Sequence, residues 1–521
     1  MDIDEAFGHT FDTLFGRGEP ARLDDFKDYL LQYSIPVTRR KSALSGKSVT
    51  LVSNDYCEGA NFISQEEMKE LSKPFSINEV KDIDGILEAI ADRSLYTGNK
   101  TLGNSSFIKD SDVCMDSFQV RGSTNAQQSK YIGYSWMIRD NSEFVFGSGV
   151  MGKARYILRT VAAYNIARCF ESYYLTDSTD CYFSYGCYGC AQTMFSFNQR
   201  GSRYVLGNSK LDKEKYLALK DKLLAEVREK LLKEKSFKPL LSVFQSPGKW
   251  EMPIINVSSK KDEQNPGRID RAFRSATKII LGKEFGPLTG FEPWLCRHTT
   301  KVERKKTLFG NYTNSFTALY PFFKDIPDDR FVTDIEASEL GKIAIKIEED
   351  ESFETLFKKI GKIAYCSPEA ILGSRQNIID SPIAVDSSNI YKIVDSTSSR
   401  NSGVSGPVLN SEYIFGSLRA INSRFCINCY HSLDLTNCFE MDSCSHCRDS
   451  LFCHNCENLD NCMFCFNVKG KRYAIGNVEI EKEQYARIKA IVLNQIAEQL
   501  EKTGDLGYDI YNIGCKVEKS A

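Results

Sequence analysis

An eight-residue stretch of this chain recurs 269 positions further on, and that recurrence limits the architectures open to it. Asn141-Ser142-Glu143-Phe144-Val145-Phe146-Gly147-Ser148 returns as Asn410-Ser411-Glu412-Tyr413-Ile414-Phe415-Gly416-Ser417. Cys169-Phe170-Glu171 returns as Cys438-Phe439-Glu440, and Arg203-Tyr204-Val205-Leu206-Gly207-Asn208 as Arg472-Tyr473-Ala474-Ile475-Gly476-Asn477, at the same shift. Near the start, Ile3-Asp4-Glu5-Ala6-Phe7 returns as Ile269-Asp270-Arg271-Ala272-Phe273. Self-similarity at a nearly fixed period over the whole length predicts one unit of roughly 260 residues, duplicated and fused, so each copy can be checked against the other.

The 521 residues suffice for two or more substantial cores, and 42% apolar residues argue for a folded chain. A dedicated phosphate-backbone binder carries a clear basic excess, whereas the net charge here is −2, which argues against a nucleic-acid partner. No run of about 18 apolar residues is present, so no membrane-spanning helix is expected. The acidic start Met1-Asp2-Ile3-Asp4-Glu5 has no basic, apolar leader pattern. Cytoplasmic synthesis without a signal peptide is the expectation, with the 18 cysteines mostly thiols or metal ligands.

Each copy reads as three parts, giving an α+β class. Residues 1–100 form a mixed opening region, 101–208 a β-solenoid with its cap, and 209–236 a helix; 237–267 is linker. The second copy repeats the order as 268–370, a cysteine-rich 371–477, and a C-terminal helix and tail over 478–521. Leu23, Phe26, Tyr29 and Leu30 make a helical stripe echoed by Leu288, Phe291, Trp294 and Leu295. Tyr216, Leu219, Leu223, Val227 and Leu231 line one face of the first terminal helix, and Tyr485, Ile488, Val492, Ile496 and Leu500 do so in its twin. The basic clusters Arg39-Arg40-Lys41 and Arg304-Lys305-Lys306 read as solvated surface.

The middle of each copy has a period of three, which neither a helix nor a plain strand produces. Small residues recur at Cys169, Ser172, Ser178, Cys181, Ser184, Cys187 and Cys190, and at Cys426, Cys429, Cys438, Cys444, Cys447, Cys453, Cys456, Cys462 and Cys465. A narrow solenoid that turns one small side chain inward per triplet explains this. A second column sets the length of a coil at 12 residues: Phe146, Leu158, Phe170, Tyr182 and Met194, repeated as Phe415, Ile427, Phe439, Leu451 and Met463. These outward apolar residues require a cover, either the copy's own terminal helix or another subunit. About eight coils at ~4.8 Å each predict a rod about 40 Å long.

Paired Cys-x-x-Cys motifs in the second copy raise zinc as the alternative cofactor, with Cys444, Cys447, Cys453 and Cys456 the candidate ligands. The first copy holds Leu175, Ser178 and Ser184 at the positions of Cys444, Cys447 and Cys453, so metal cannot be what holds that copy, and a ladder of small buried thiols is the preferred reading. Gly147-Ser148-Gly149-Val150-Met151-Gly152 matches a dinucleotide-binding pattern, but Gly416-Ser417-Leu418-Arg419-Ala420 lacks it. Tyr182, Tyr185 and Tyr188 suit a packed surface better than a base- or sugar-stacking platform. None of the five histidines sits in a recognisable nucleophile–base or metalloprotease arrangement, and no paired carboxylates suggest a carbohydrate-cleaving enzyme, so no catalytic residue is assigned.

The run Cys453-His454-Asn455-Cys456-Glu457-Asn458-Leu459-Asp460-Asn461-Cys462-Met463-Phe464-Cys465, with Lys471-Arg472-Tyr473 and Glu483-Gln484-Tyr485 beyond it, resembles the cysteine-rich, largely uncharacterised proteins of uncultured bacteria, archaea and phages. The resemblance covers the solenoid, cap and helix start of each copy. It extends to Arg40-Lys41-Ser42-Ala43-Leu44-Ser45-Gly46, where such proteins carry a zinc-ribbon cysteine and this chain has Ser42. It implies no activity, and its phage-like setting implies a virion or assembly component. The expectation is a non-enzymatic structural protein that self-associates, without cofactor; a zinc-dependent nucleic-acid-binding protein is the alternative.

Overall fold

A computed structural model describes residues 1–70, 82–91, 94–245, 250–255 and 264–515. It is a mixture of helices and strands, an α+β protein. Among the described residues no helix is long and apolar enough to cross a membrane.

The chain divides into two compact units, and each unit takes residues from both halves of the sequence. The first comprises 1–37, 101–260 and 304–370; the second comprises 38–100, 261–303 and 371–521. The opening region read as residues 1–100 is therefore split after residue 37, and its counterpart 268–370 is split after residue 303. Only the first part of each opening region stays with the strands that follow it in its own copy.

In the first unit the strands stack in parallel at a step of 12 residues. Phe146 pairs with Leu158, Leu158 with Phe170, Phe170 with Tyr182, Tyr182 with Met194 and Met194 with Leu206. The step lengthens to 13 where Thr101 pairs with Cys114, and again where Lys130 pairs with Glu143 and Trp136 with Gly149. At the latter place the extra residue lies at Asp140-Asn141, both with positive φ. The second unit keeps the same step: Phe415 pairs with Ile427, Ile427 with Phe439, Phe439 with Leu451 and Leu451 with Met463. A short antiparallel hairpin closes each stack, Arg203–Leu206 with Ser209–Lys210 and Arg472–Ile475 with Val478–Glu479.

The period of three is a backbone period. Along Val161–Phe170 and Tyr173–Tyr182 every third residue is left-handed: Ala162, Asn165, Arg168, Glu171, Tyr174, Asp177 and Asp180 have φ between 44° and 60°. Left-handed backbone costs an ordinary L-residue roughly 1–2 kcal/mol, least for Gly, Asn and Asp, which explains the abundance of those residues here. Where the residue after a left-handed corner is Ser, Thr or Cys, its side chain turns inward and bonds the carbonyl just before the corner. Ser172 Oγ donates to the Phe170 carbonyl (2.9 Å) and accepts the Ser184 amide of the next layer (3.1 Å). Cysteine does the donor half of this job: Cys429 Sγ donates to the Ile427 carbonyl (3.5 Å). Thus Ser, Thr and Cys suit the bore because they are small and because each carries a donor.

Helix α1 (Ile3–Phe15) starts in a capping box, with the Glu5 amide on Asp2 Oδ1 and the Asp2 amide on Glu5 Oε2. It covers the apolar column of the first unit: Phe7 packs edge-on to Phe146 and Phe15 to Phe170, ring centroids 5.1 and 4.8 Å apart. Helix α2 (Lys213–Glu234) lies against the closing hairpin. In the second unit, helices α3 (Pro266–Leu281) and α4 (Lys482–Thr503) share one core with Phe415, Ile427, Phe439, Leu451 and Met463.

Candidate ionisable site in the second unit

The 12-residue step stacks Tyr430, Asp442 and His454 on one another. All three are buried. His454 Nδ1 lies 2.8 Å from Asp442 Oδ2, and its Nε2 accepts the Thr97 backbone amide at 2.9 Å. An amide N–H cannot accept, so Nε2 carries the lone pair and the ring proton sits on Nδ1, facing Asp442. Tyr56 O–H also donates to Asp442 Oδ2 (3.2 Å), and the Lys100 ammonium, itself buried, donates to the Thr97 carbonyl (2.8 Å). Burial alone would raise the Asp442 carboxyl; the hydrogen bond from His454, with the nearby Lys100 ammonium, outweighs it and holds Asp442 down at about 2.

Beside this pair, His298 lies between two carboxylates, 3.2 Å from Asp509 and 3.8 Å from Asp55. Burial opposes charging the ring, but the hydrogen bond to Asp509 and the charges of Asp509 and Asp55 raise it to about 9. Glu440 accepts the Ile510 amide (2.9 Å) and the Asn428 side-chain amide (2.8 Å); burial, then the charge of Asp509, pushes its carboxyl up to about 8. Burial drives His431 down to about 4.

The first unit carries a version of the same place without histidines, built on tyrosines and one ion pair. Tyr173 stands at the position of Asp442, Tyr185 at that of His454, Ala162 at that of His431 and Tyr33 at that of His298. Glu171 is the counterpart of Glu440 and is fully buried, but it is met by Arg159 Nε at 2.8 Å and by the Tyr29 hydroxyl at 2.8 Å. In the second unit Asn428 replaces Arg159 and Trp294 replaces Tyr29. Glu440 therefore meets neither a guanidinium nor a phenol to offset its burial and the charge of Asp509.

These values set a pH window. A group raised in the fold stabilises it fully below its ordinary value and loses that contribution as pH climbs through the raised one. His298 thus withdraws support between about 6.5 and 9, and Glu440 between about 4.5 and 8. His431, held down at about 4, withdraws support as pH falls from about 6.5 to 4. The second unit is expected to be most stable near pH 6 and to lose several kcal/mol by pH 9, at about 1.4 kcal/mol for each pH unit over which a raised group titrates. Trp294 is the tryptophan of the second unit, so its fluorescence in a chain carrying Trp136→Phe and Trp250→Phe follows this unit through thermal unfolding. A midpoint that is flat from pH 6 to pH 9 contradicts the assignment.

The residues singled out from sequence fall elsewhere. Cys169, Cys181, Ser184, Cys187, Cys438, Cys447, Cys453, Cys456, Cys462 and Cys465 are all buried, as are all ten residues of the apolar column. Among the described residues no three His, Cys, Asp or Glu side chains are grouped to hold a metal ion. Cys444, Cys447, Cys453 and Cys456 instead donate to the carbonyls of Asp442, Ser445, Leu451 and His454, at 3.2–3.3 Å. Burial, then hydrogen bonds to neighbouring thiols, raises Cys444 and Cys453, while hydrogen bonds from those two outweigh burial and hold Cys456 down. Ser42, at the zinc-ribbon position, donates to Glu67 (2.7 Å) and caps the turn amides of Leu44 and Ser45.

Tyr182, Tyr185 and Tyr188 are packed inside, with the Tyr185 hydroxyl on the Ser367 carbonyl. The glycine motif lies in the parallel stack; a Cβ on Gly149 would fall 2.0 Å from the Trp136 ring, so close packing accounts for that glycine. A cleft of about 350 Å³ on the second unit is lined by Asp386, Arg400, Glu412 and Arg424, whose charges pair: Arg400 and Arg424 both reach Glu412.

Sequence reasoning passed over His298, His431, His454, Asp442 and Glu440. Their signal was the disagreement between the two copies at otherwise matching positions. No protein-family model matches the chain, and no curated protein or solved structure matches it either.

Proposed function

We propose that this chain is a non-enzymatic structural protein, built from a duplicated unit with a narrow β-solenoid in each copy, that self-associates into a larger assembly of the virion type. One observation carries this reading: the parallel stacks are filled by hydrogen-bonded small side chains and covered by helices, and the ionisable groups of the second unit bond to one another. Asp442, His454, His298 and Glu440 all have partners within the fold. Such a body offers rigidity and surface.

Native mass spectrometry with elemental analysis tests it. Species at multiples of 59.0 kDa without bound metal are the expected result; a monomer at every concentration overturns assembly. One or more zinc per chain promotes the zinc-dependent nucleic-acid reading. The double variant Cys444→Ser, Cys447→Ser separates the two further. In a hydrogen-bonded ladder it is expected to lose about 1–2 kcal/mol, because serine keeps the donor. Loss of two zinc ligands would instead unfold the region.

A further inference from the structure

The segment after α4, residues 505–515, has no helix or strand of its own, and it lies over the ionisable cluster. Arg297 Nη1 donates to the Leu506 carbonyl (2.9 Å) and to Asp509 (3.2 Å). The Ile510 amide donates to Glu440, and Tyr511 packs against Tyr56, His298 and Tyr430 at ring centroids of 4.8–5.1 Å. The Tyr96 hydroxyl donates to the Ile510 carbonyl (2.9 Å) and accepts the Gly514 amide (3.0 Å). At its end Cys515 is joined to Cys57 in a disulfide, while the other 16 cysteines are free thiols. In the first unit the equivalent segment donates the Leu240 amide to Glu171 and packs Phe244 against Tyr185 and Phe197. Gln245 stands there at the position of Cys515, so no tie is made. The covalent clasp occurs in the unit whose strap packs on a histidine, His298.

We propose that residues 505–515 are a redox-latched strap that closes over the Asp442–His454–His298–Glu440 cluster when Cys57 and Cys515 are oxidised and lifts from it when they are reduced. The reductant is a dithiol: its two sulfurs close into its own disulfide, the Cys57–Cys515 bond breaks, and two electrons and two protons leave two thiols on the protein. The Cys57 amide donates to the Tyr511 carbonyl, while the strap's own amides bond to side chains and to its own turn carbonyls, not to a strand ladder. Without the tie, opening becomes a local event that leaves the parallel stack standing.

The test is hydrogen–deuterium exchange of the full chain, air-oxidised and then treated with dithiothreitol, with intact mass reporting the two hydrogens gained. Reduction is expected to speed exchange in a peptide spanning Ile510, Tyr511 and Gly514 by about tenfold or more, while peptides covering Arg424–Leu433 and Leu451–His454 stay protected. Cys57→Ser with Cys515→Ser is expected to exchange fast with or without dithiothreitol. Equal strap exchange in the two redox states overturns the proposal. So does an air-oxidised chain with both thiols free. Loss of protection across the strands together with the strap overturns it as well, since the bond would then be a staple of the whole unit.

Discussion

Phe439→Asp is expected to destabilise the second unit by about 4 kcal/mol or more, the range for a large ring removed and a charge left without a partner in a core. Phe439 is fully buried between Trp294 and Phe452, at ring centroids of 6.1 and 5.4 Å, in the column covered by α3 and α4. Phe170→Asp should act alike in the first unit, where the ring meets Phe15 and Phe183. For units of this size the thermal midpoint is expected to fall by roughly 10 °C or more. Phe107→Asp is the control. Phe107 is 69% exposed and left-handed, so aspartate suits its backbone and the midpoint should stay within a degree or two, about 0.5 kcal/mol. Unchanged midpoints in Phe439→Asp and Phe170→Asp would mean that the column faces solvent.

The second large effect belongs to Arg159. Its guanidinium and the Glu171 carboxylate are 1% and 0% exposed and 2.8 Å apart. Removing one member of such a pair costs about 3–5 kcal/mol because the other is left charged and dry. The chain contains its own precedent: where Asn428 stands in place of arginine, Glu440 is pushed up to about 8. Arg159→Asn should therefore destabilise the first unit more at pH 9 than at pH 6, since Glu171 would then be raised and ionising it at high pH would work against the fold. Adding Glu171→Gln should recover part of the loss and remove the pH dependence. Thermal unfolding at the two pH values reads both. A loss independent of pH would point to lost packing of the guanidinium against Tyr29, 4.3 Å from the ring centroid, and not to the stranded charge.

The legible part of this fold was its arithmetic. The spacing of Phe146, Leu158 and Phe170 is the spacing of the strand register. The reason for the triplet was only half visible. Small size explained Ser172 and Cys429, but the left-handed corners that need their donors were written in Asn165, Asp177, Asn428 and Asn437, which read as mere polarity. The inserted residue at Asp140-Asn141 left no periodic trace.

The ionisable cluster was hidden for a different reason. Its members come from residues 55–56, 97–100, 297–298, 428–454 and 509–511, and no local pattern links them. The Cys-x-x-Cys spacing puts both thiols on the inward positions of successive triplets, where they donate to backbone carbonyls.

The division of the opening regions was invisible in sequence, and it bears on where the chain can be cut. Segments 38–100 and 304–370 each belong to the unit that holds the strands of the other half of the sequence. Cleavage near residue 260 therefore leaves neither half with all the residues of a unit. The C-terminal half alone would lack Tyr56 and Thr97, whose hydroxyl and amide bond Asp442 and His454.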